Sequence, residues 1–199
     1  MATSVRPRAQ SAMLKGQPTS LADAIAAARR LIVQARRPAA LVSNWGSNEE
    51  LVAFEAALGG RLDCIVKSDW QALPGEPIED DVLIRADKNP NTRAAQALFG
   101  AEPPLVPADA DLVLVWGEGA SFAALPRGAK TILLGSYLAP ENGHVDVFIP
   151  VSIQTERAGH YTNFNGVVSR FEPIMRKKDT VAHAEQLFVQ LAATAEAIA

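Results

Sequence analysis

Two short segments carry the residue types best suited to holding an anionic ligand, Gly46-Ser47-Asn48 and Gly117-Glu118-Gly119. Each follows an apolar run. Glycine at such a place lets backbone N–H groups approach a phosphate, and a helix starting there adds a favourable dipole. In open α/β sheets ligands sit beyond the carboxyl ends of the strands, which is where both segments would fall. Neither completes the G-x-G-x-x-G spacing of a dinucleotide fingerprint, because Ala120, Ser121 and Phe122 follow Gly119. Ordinary strand-to-helix turns also use glycine, so a ligand cradle and a plain turn are both open at these positions.

His160, beside Tyr161, is the one candidate general base, with a hydrogen-bonded histidine in a turn as the alternative. Glu79, Asp80 and Asp81 form a carboxylate run whose proline-rich setting reads as a solvated turn rather than an acid–base pair. The sequence contains no G-x-S-x-G elbow, P-loop, H-E-x-x-H or calcium loop. No catalytic residue is therefore assigned. Cys64 is the only cysteine, which excludes an in-chain disulfide and a self-contained four-thiolate iron–sulfur or zinc site. His144, His160 and His183 lack metal-ligand spacing, and no metal site is expected.

The elements that must position these residues alternate along the chain. Ser20 caps a helix with Asp23 in its first turn and Leu21, Ile25, Ala28, Leu31 and Ile32 on one face, ending at Arg36-Arg37-Pro38. A short apolar strand, Ala39 to Ser43, leads through the Gly46 turn into a second helical pattern with Leu51, Phe54 and Leu58. Leu62 to Val66, Asp111 to Trp116, Thr131 to Leu134 and Val145 to Ile149 read as further strands. Continuous apolar runs without alternation belong to strands buried on both faces, so the fold class is α/β, a doubly wound (Rossmann-like), mainly parallel sheet in a single domain.

Residues 20–172 form that domain. Within it, an irregular excursion from Ser68 to Pro107 holds six of the 13 prolines, with Asn91 or Thr92 capping a short helix through Ala94, Ala95 and Leu98 to Gly100. Residues 173–199 form a C-terminal amphipathic helix with Val181, Ala184, Phe188, Leu191, Ala195 and Ile198 on one face and Thr180 as its cap, packed on its own domain or on a partner. The first 22 residues contain Arg6, Arg8 and Lys15 but no acid, and show neither period. An organellar targeting segment has this composition, but residues 1–19 are expected to be a flexible or partner-docked arm.

The net charge of −3 leaves no basic excess for a run of phosphates, so nucleic acid is not an expected partner. No stretch reaches the ~20 apolar residues of a bilayer span, so no direct membrane insertion is expected, and the location is expected to be cytoplasmic, or at the membrane surface through a complex. The capped helix near the chain end favours a natural short subunit over a fragment.

The stretch Val145-Asp146-Val147-Phe148-Ile149-Pro150, followed by Glu156-Arg157-Ala158-Gly159-His160-Tyr161-Thr162-Asn163-Phe164-Asn165-Gly166, resembles a pattern of the molybdopterin oxidoreductase superfamily. There an A-D-V-x-L-P strand precedes E-x-x-G-T-x-x-N-x-x-G-R, and the most similar variant is that of the large peripheral-arm subunits of complex I (NADH:quinone oxidoreductase, or NADH dehydrogenase). Pro38 to Ser43, Gly46-Ser47-Asn48 and Asp87 to Asn91 are also similar to it, and the likeness covers about residues 20 to 172. His160 stands where the pattern usually has threonine, and Val167-Val168 replaces its arginine.

The cysteine-bound cluster and the metal-ligand position of molybdenum-using members are unmatched, and Cys64 does not fall at the ligand position. The resemblance implies a non-redox structural or accessory subunit that scaffolds iron–sulfur or other redox subunits, with no cofactor held by this chain alone. Its alternative is a module that shares part of a molybdopterin or nucleotide site with a partner in a formate-dehydrogenase-like enzyme. An independent NAD-dependent or transferase activity at the Gly46 and Gly117 turns is the third reading, which the missing fingerprint disfavours. Within the matched loop, Glu156 and Asn163 would hydrogen-bond loop backbone, and Gly159 and Gly166 would supply positive φ.

Overall fold

The computed structural model describes residues 6–68, 79, 85–101 and 105–193. Of the sequence expectations, Asp80, Asp81, Ala195, Ile198 and much of the Ser68–Pro107 excursion lie outside the described residues.

The chain runs β1 (Ala12–Leu14), β2 (Gln17–Thr19), α1 (Leu21–Gln34), β3 (Pro38–Ser43), α2 (Asn48–Phe54), β4 (Asp63–Lys67), α3 (Thr92–Phe99), β5 (Leu112–Trp116), β6 (Lys130–Gly135), β7 (Val147–Pro150), β8 (Gly159–Thr162), β9 (Val168–Phe171) and α4 (Ala184–Ala192). One seven-stranded sheet has the order β2-β1-β7-β6-β5-β3-β4, and β8 pairs β9 in a separate hairpin. Strands β3 to β7 are mutually parallel. The order runs outward in both directions from β3, the doubly wound arrangement, so the switch point lies between β3 and β5.

Strand residues alternate between two cores. Ala40, Val42, Leu114, Trp116, Ile132, Leu134 and Ile149 face the side covered by all four helices, while Leu41, Val113, Val115, Leu133 and Phe148 face the other. That second face is closed by Ala9, Phe122, Leu125 and other residues of the connecting segments. β5 is buried at every position, as its unbroken apolar run requires.

Local signals explain the first helix and its successor. Ser20 Oγ accepts the Asp23 N–H (3.0 Å), and Ser47 and Glu50 form a reciprocal capping box at α2. The last turn of α2 widens into a π-helical stretch, Glu55–Gly59, that buries Leu58. Asn91 precedes α3 as expected, but its side chain makes no cap and reaches the Gly46 carbonyl instead.

Three expectations need correction. Residues 1–19 read as an arm in the sequence, yet Arg8 bridges Tyr137, and Ala12 to Thr19 form a hairpin whose first strand pairs antiparallel with β7. Lys15 (φ 48°) and Gly16 (φ 77°) make the two-residue turn whose twist suits a hairpin, and Pro18 sits on the outermost strand, where a missing N–H costs no ladder bond. The C-terminal helix starts at Ala184 rather than near Thr180, with His183 at its N-cap. It belongs to the core: Phe188 meets Phe54 and Trp116 edge-on, with centroids 4.9 and 4.8 Å away, while Phe54 stacks on Trp116. Finally, the matched polar loop holds β8 and the turn of a hairpin completed by β9 just beyond it, whose four-residue strands are too short and polar to show a period.

Candidate functional site

The Gly46 and Gly117 turns end β3 and β5, neighbouring parallel strands, so the topology places them side by side at the switch point. Beside them opens a cavity of about 230 Å³, whose lining includes Trp45, Gly46, Trp116, Gly117, Glu118, Tyr137, Ser152, Gln154 and Arg157. Gly119 lies beyond its rim, lining an adjacent hollow with Ser121 and Phe122. Gly117 and Gly119 adopt φ of 87° and 81°, which only glycine takes without strain. Gly46 is required for a different reason: a Cβ there would run into the Trp116 ring.

Ser47 and Asn48 do not line this cavity. The Ser47 N–H donates to Glu50 Oε2 (2.8 Å), and its side chain is covered by Gly159 of β8. Asn48 Nδ2 donates to Thr162 Oγ1 (3.0 Å), while Asn48 Oδ1 accepts from Asn91 Nδ2 (3.0 Å). These two residues therefore tie the turn after β3 to the hairpin and to α3; their polar groups meet protein instead of an open anion cradle.

Arg157 closes the centre of the arrangement. It donates to the carbonyls of Ser152 (2.7 Å) and Trp45 (3.0 Å) and lies 3.1 Å from Glu50 Oε2. Glu50 is fully enclosed; burial pushes its carboxyl up to about 7, against the pull of the Arg157 charge and the Ser47 N–H. The Arg157 Nε has no hydrogen-bond acceptor among the described residues. Tyr161 adds a bond from its hydroxyl to the Trp45 carbonyl (3.2 Å), and burial raises its phenol.

The remaining matched residues serve the loop. Glu156 accepts the Ile153 N–H (3.1 Å) and pairs with Arg8 (2.7 Å), so the N-terminal segment is anchored to it. Asn163 Oδ1 accepts the N–H groups of Asn165 and Val167 at the hairpin turn, where Gly166 has φ 83°. Gly159 differs from the expectation because its φ is not positive; a Cβ there would lie 2.7 Å from Ser47 Cβ, so glycine permits close approach.

His160 sits on β8, with Nδ1 2.5 Å from Glu49 Oε1 and its N–H on Glu49 Oε2 (3.0 Å). It does not line the switch-point cavity. Burial would raise the Glu49 carboxyl, but hydrogen bonds from His160, from its own N–H and from Ser47 together hold it below the usual range. His183 bonds Ser152 Oγ through Nδ1 (3.1 Å), and burial lowers its ring. Among the described residues no group of three His, Cys, Asp or Glu side chains is placed to share a metal ion.

Sequence reasoning assigned no role to Arg157 or Glu50. The one available signal is the Ser47-x-x-Glu50 capping box, which explains a glutamate at N3 but not its ion pair 107 positions away. No protein-family model and no curated protein matches the sequence. No helix among the described residues is long and apolar enough to cross a membrane.

Proposed function

We propose that the chain is a non-redox accessory module of a multi-subunit oxidoreductase, one that scaffolds iron–sulfur or other redox subunits and performs no chemistry of its own. The class of assembly comes from the resemblance of residues 145–166 to the molybdopterin oxidoreductase pattern. The observation that carries the accessory role is the engagement of Arg157. At a switch point, a buried guanidinium and a helix start are the groups that would receive an anionic cofactor. Here Arg157 is held by Glu50 and two carbonyls, and the start of α2 is filled by its own capping box. The strand ends are braced by internal bonds that fix the hairpin to the sheet.

A second reading, a module that contributes part of a pterin or nucleotide site, is favoured by the cavity itself, which Arg157 helps to line. Thermal unfolding with added FMN, NAD or guanosine monophosphate separates the two. Ligand that binds only the folded chain at a hundred times its Kd stabilises by about 2.7 kcal/mol. The accessory reading predicts an unchanged midpoint with each nucleotide, whereas a saturable rise with one of them supports the second reading.

A further inference from the structure

Among the described residues β9 pairs with β8 alone, so its other edge has no strand beside it. Asn163 N–H bonds the Val167 carbonyl (3.0 Å), so the alternation of an antiparallel ladder makes Tyr161↔Ser169 and Gly159↔Phe171 the bonded pairs. Val168 and Arg170 then turn both N–H and C=O away from β8. The same phase shows on the opposite edge, where the outward N–H groups of His160 and Thr162 are taken by Glu49 and by Asn91 (2.7 Å). β8 is thus closed by side chains. Among the described residues nothing closes β9, where Val168 is 57% exposed and the Arg170 side chain 69%.

An open edge with exposed apolar side chains invites pairing, and proteins that use none blunt it. Phe164 and Val167 at the hairpin turn, and Ile174 and Met175 beyond β9, extend the exposed apolar surface along the same stretch. The charge along residues 170–179 is positive: Arg170, Arg176, Lys177 and Lys178 outnumber Glu172 and Asp179 in a chain whose overall charge is −3, with Lys178 Nζ donating to Gln10 Oε1 (2.5 Å). Glu172 pairs with Arg170 (2.5 Å), while Arg85 lies over the Phe164 ring. Two copies joined edge to edge would bring this basic stretch against itself, which disfavours a homodimer.

We infer that β9 docks an extended, acidic segment of a different chain by strand addition, backbone groups of Val168 and Arg170 giving the ladder and the Arg176-Lys177-Lys178 cluster selecting its charge. The inference rests on the accessory reading above, since it names the surface through which partners are held.

The test uses the assembly purified gently from its own cells. A zero-length carbodiimide cross-linker joins lysine amines directly to aspartate or glutamate carboxylates, and links from Lys177 or Lys178 to an acidic segment of another chain are expected. Val168→Pro removes an outward N–H without touching the β8 ladder, a position where edge strands tolerate proline. It should lower the amount of that chain recovered at least ten-fold, as should Arg170→Glu, with the thermal midpoint of the isolated protein unchanged. Links confined to this chain or to a second copy, or full recovery of the partner with both variants, overturn the inference while leaving the accessory reading intact. Absence of any other chain overturns both.

Discussion

Glu50 and Arg157 meet 3.1 Å apart with side chains 1% and 12% exposed, joining the first turn of α2 to the segment that leads into β8. Removing one partner of a buried pair costs about 3–5 kcal/mol, because the other charge is left uncompensated. Arg157→Ala is expected to lose stability towards that scale in a urea titration at pH 8, where wild-type Glu50 is mostly ionised, with the Ser152 and Trp45 carbonyls also deprived of their donor. A double replacement, Glu50→Leu with Arg157→Met, should recover most of the loss. Recovery of nothing would mean that the carbonyl contacts, and not the charge pair, are what matters.

The Glu50 carboxyl also sets a pH dependence. Its folded-state value, about 7, lies above the ordinary 4.5, so the folded chain binds the proton more tightly than the unfolded chain. The stabilisation linked to this proton is complete below about 4.5 and is lost as pH rises towards 7. Wild-type stability minus that of Glu50→Gln should therefore fall by roughly 2–3 kcal/mol between pH 5 and pH 8, nearly all of it below pH 7. Taking the difference removes the opposite contribution of Glu49, whose lowered carboxyl is stabilising above the ordinary value. A flat difference would place Glu50 as a permanent anion.

Gly159 and Gly166 are needed for different physical reasons, and alanine should reveal this. Gly159→Ala puts a Cβ 2.7 Å from Ser47 Cβ, so the hairpin must move off α2, at a cost of about 1–3 kcal/mol for overpacking. The amide resonances of Ser47 and Asn48 should shift. At Gly166 the penalty is the left-handed backbone, φ 83°, of about 1–2 kcal/mol, with perturbation centred on the Asn163–Val167 turn and the Arg93 guanidinium that a Cβ would approach to 3.2 Å.

The parallel sheet was readable because its strands are unbroken apolar runs separated by turn residues and capped helices; β3, β5 and α1 follow directly from such signals. The two hairpins were not. β1 and β2 are three residues each, and only the Lys15-Gly16 pair marked their turn. The Gly46 and Gly117 turns were readable as strand ends, but their adjacency was not, because it depends on β3 pairing with β5. Nor was their bracing, because the bonds from Arg157 to Trp45 and from Asn91 to Gly46 join residues 112 and 45 positions apart. Such pairings depend on the fold, and no local period encodes them.

Burial, with Asp63 and Glu55 adding negative charge nearby, pushes the Cys64 thiol up to about 12. It should therefore stay protonated at neutral pH and react with iodoacetamide at least ten-fold more slowly than a free thiol. Rapid labelling of the folded chain at pH 7.5 would show that β4 opens, or that the thiol is not shielded as described.

As proposed above, this chain holds redox partners without carrying a redox centre itself. Native mass spectrometry of the protein purified gently from its own cells, with metal analysis of the same sample, addresses it most directly. The expected result is a complex in which this chain travels with iron–sulfur subunits and contributes only its own polypeptide mass. A lone chain carrying a stoichiometric pterin or nucleotide would contradict it.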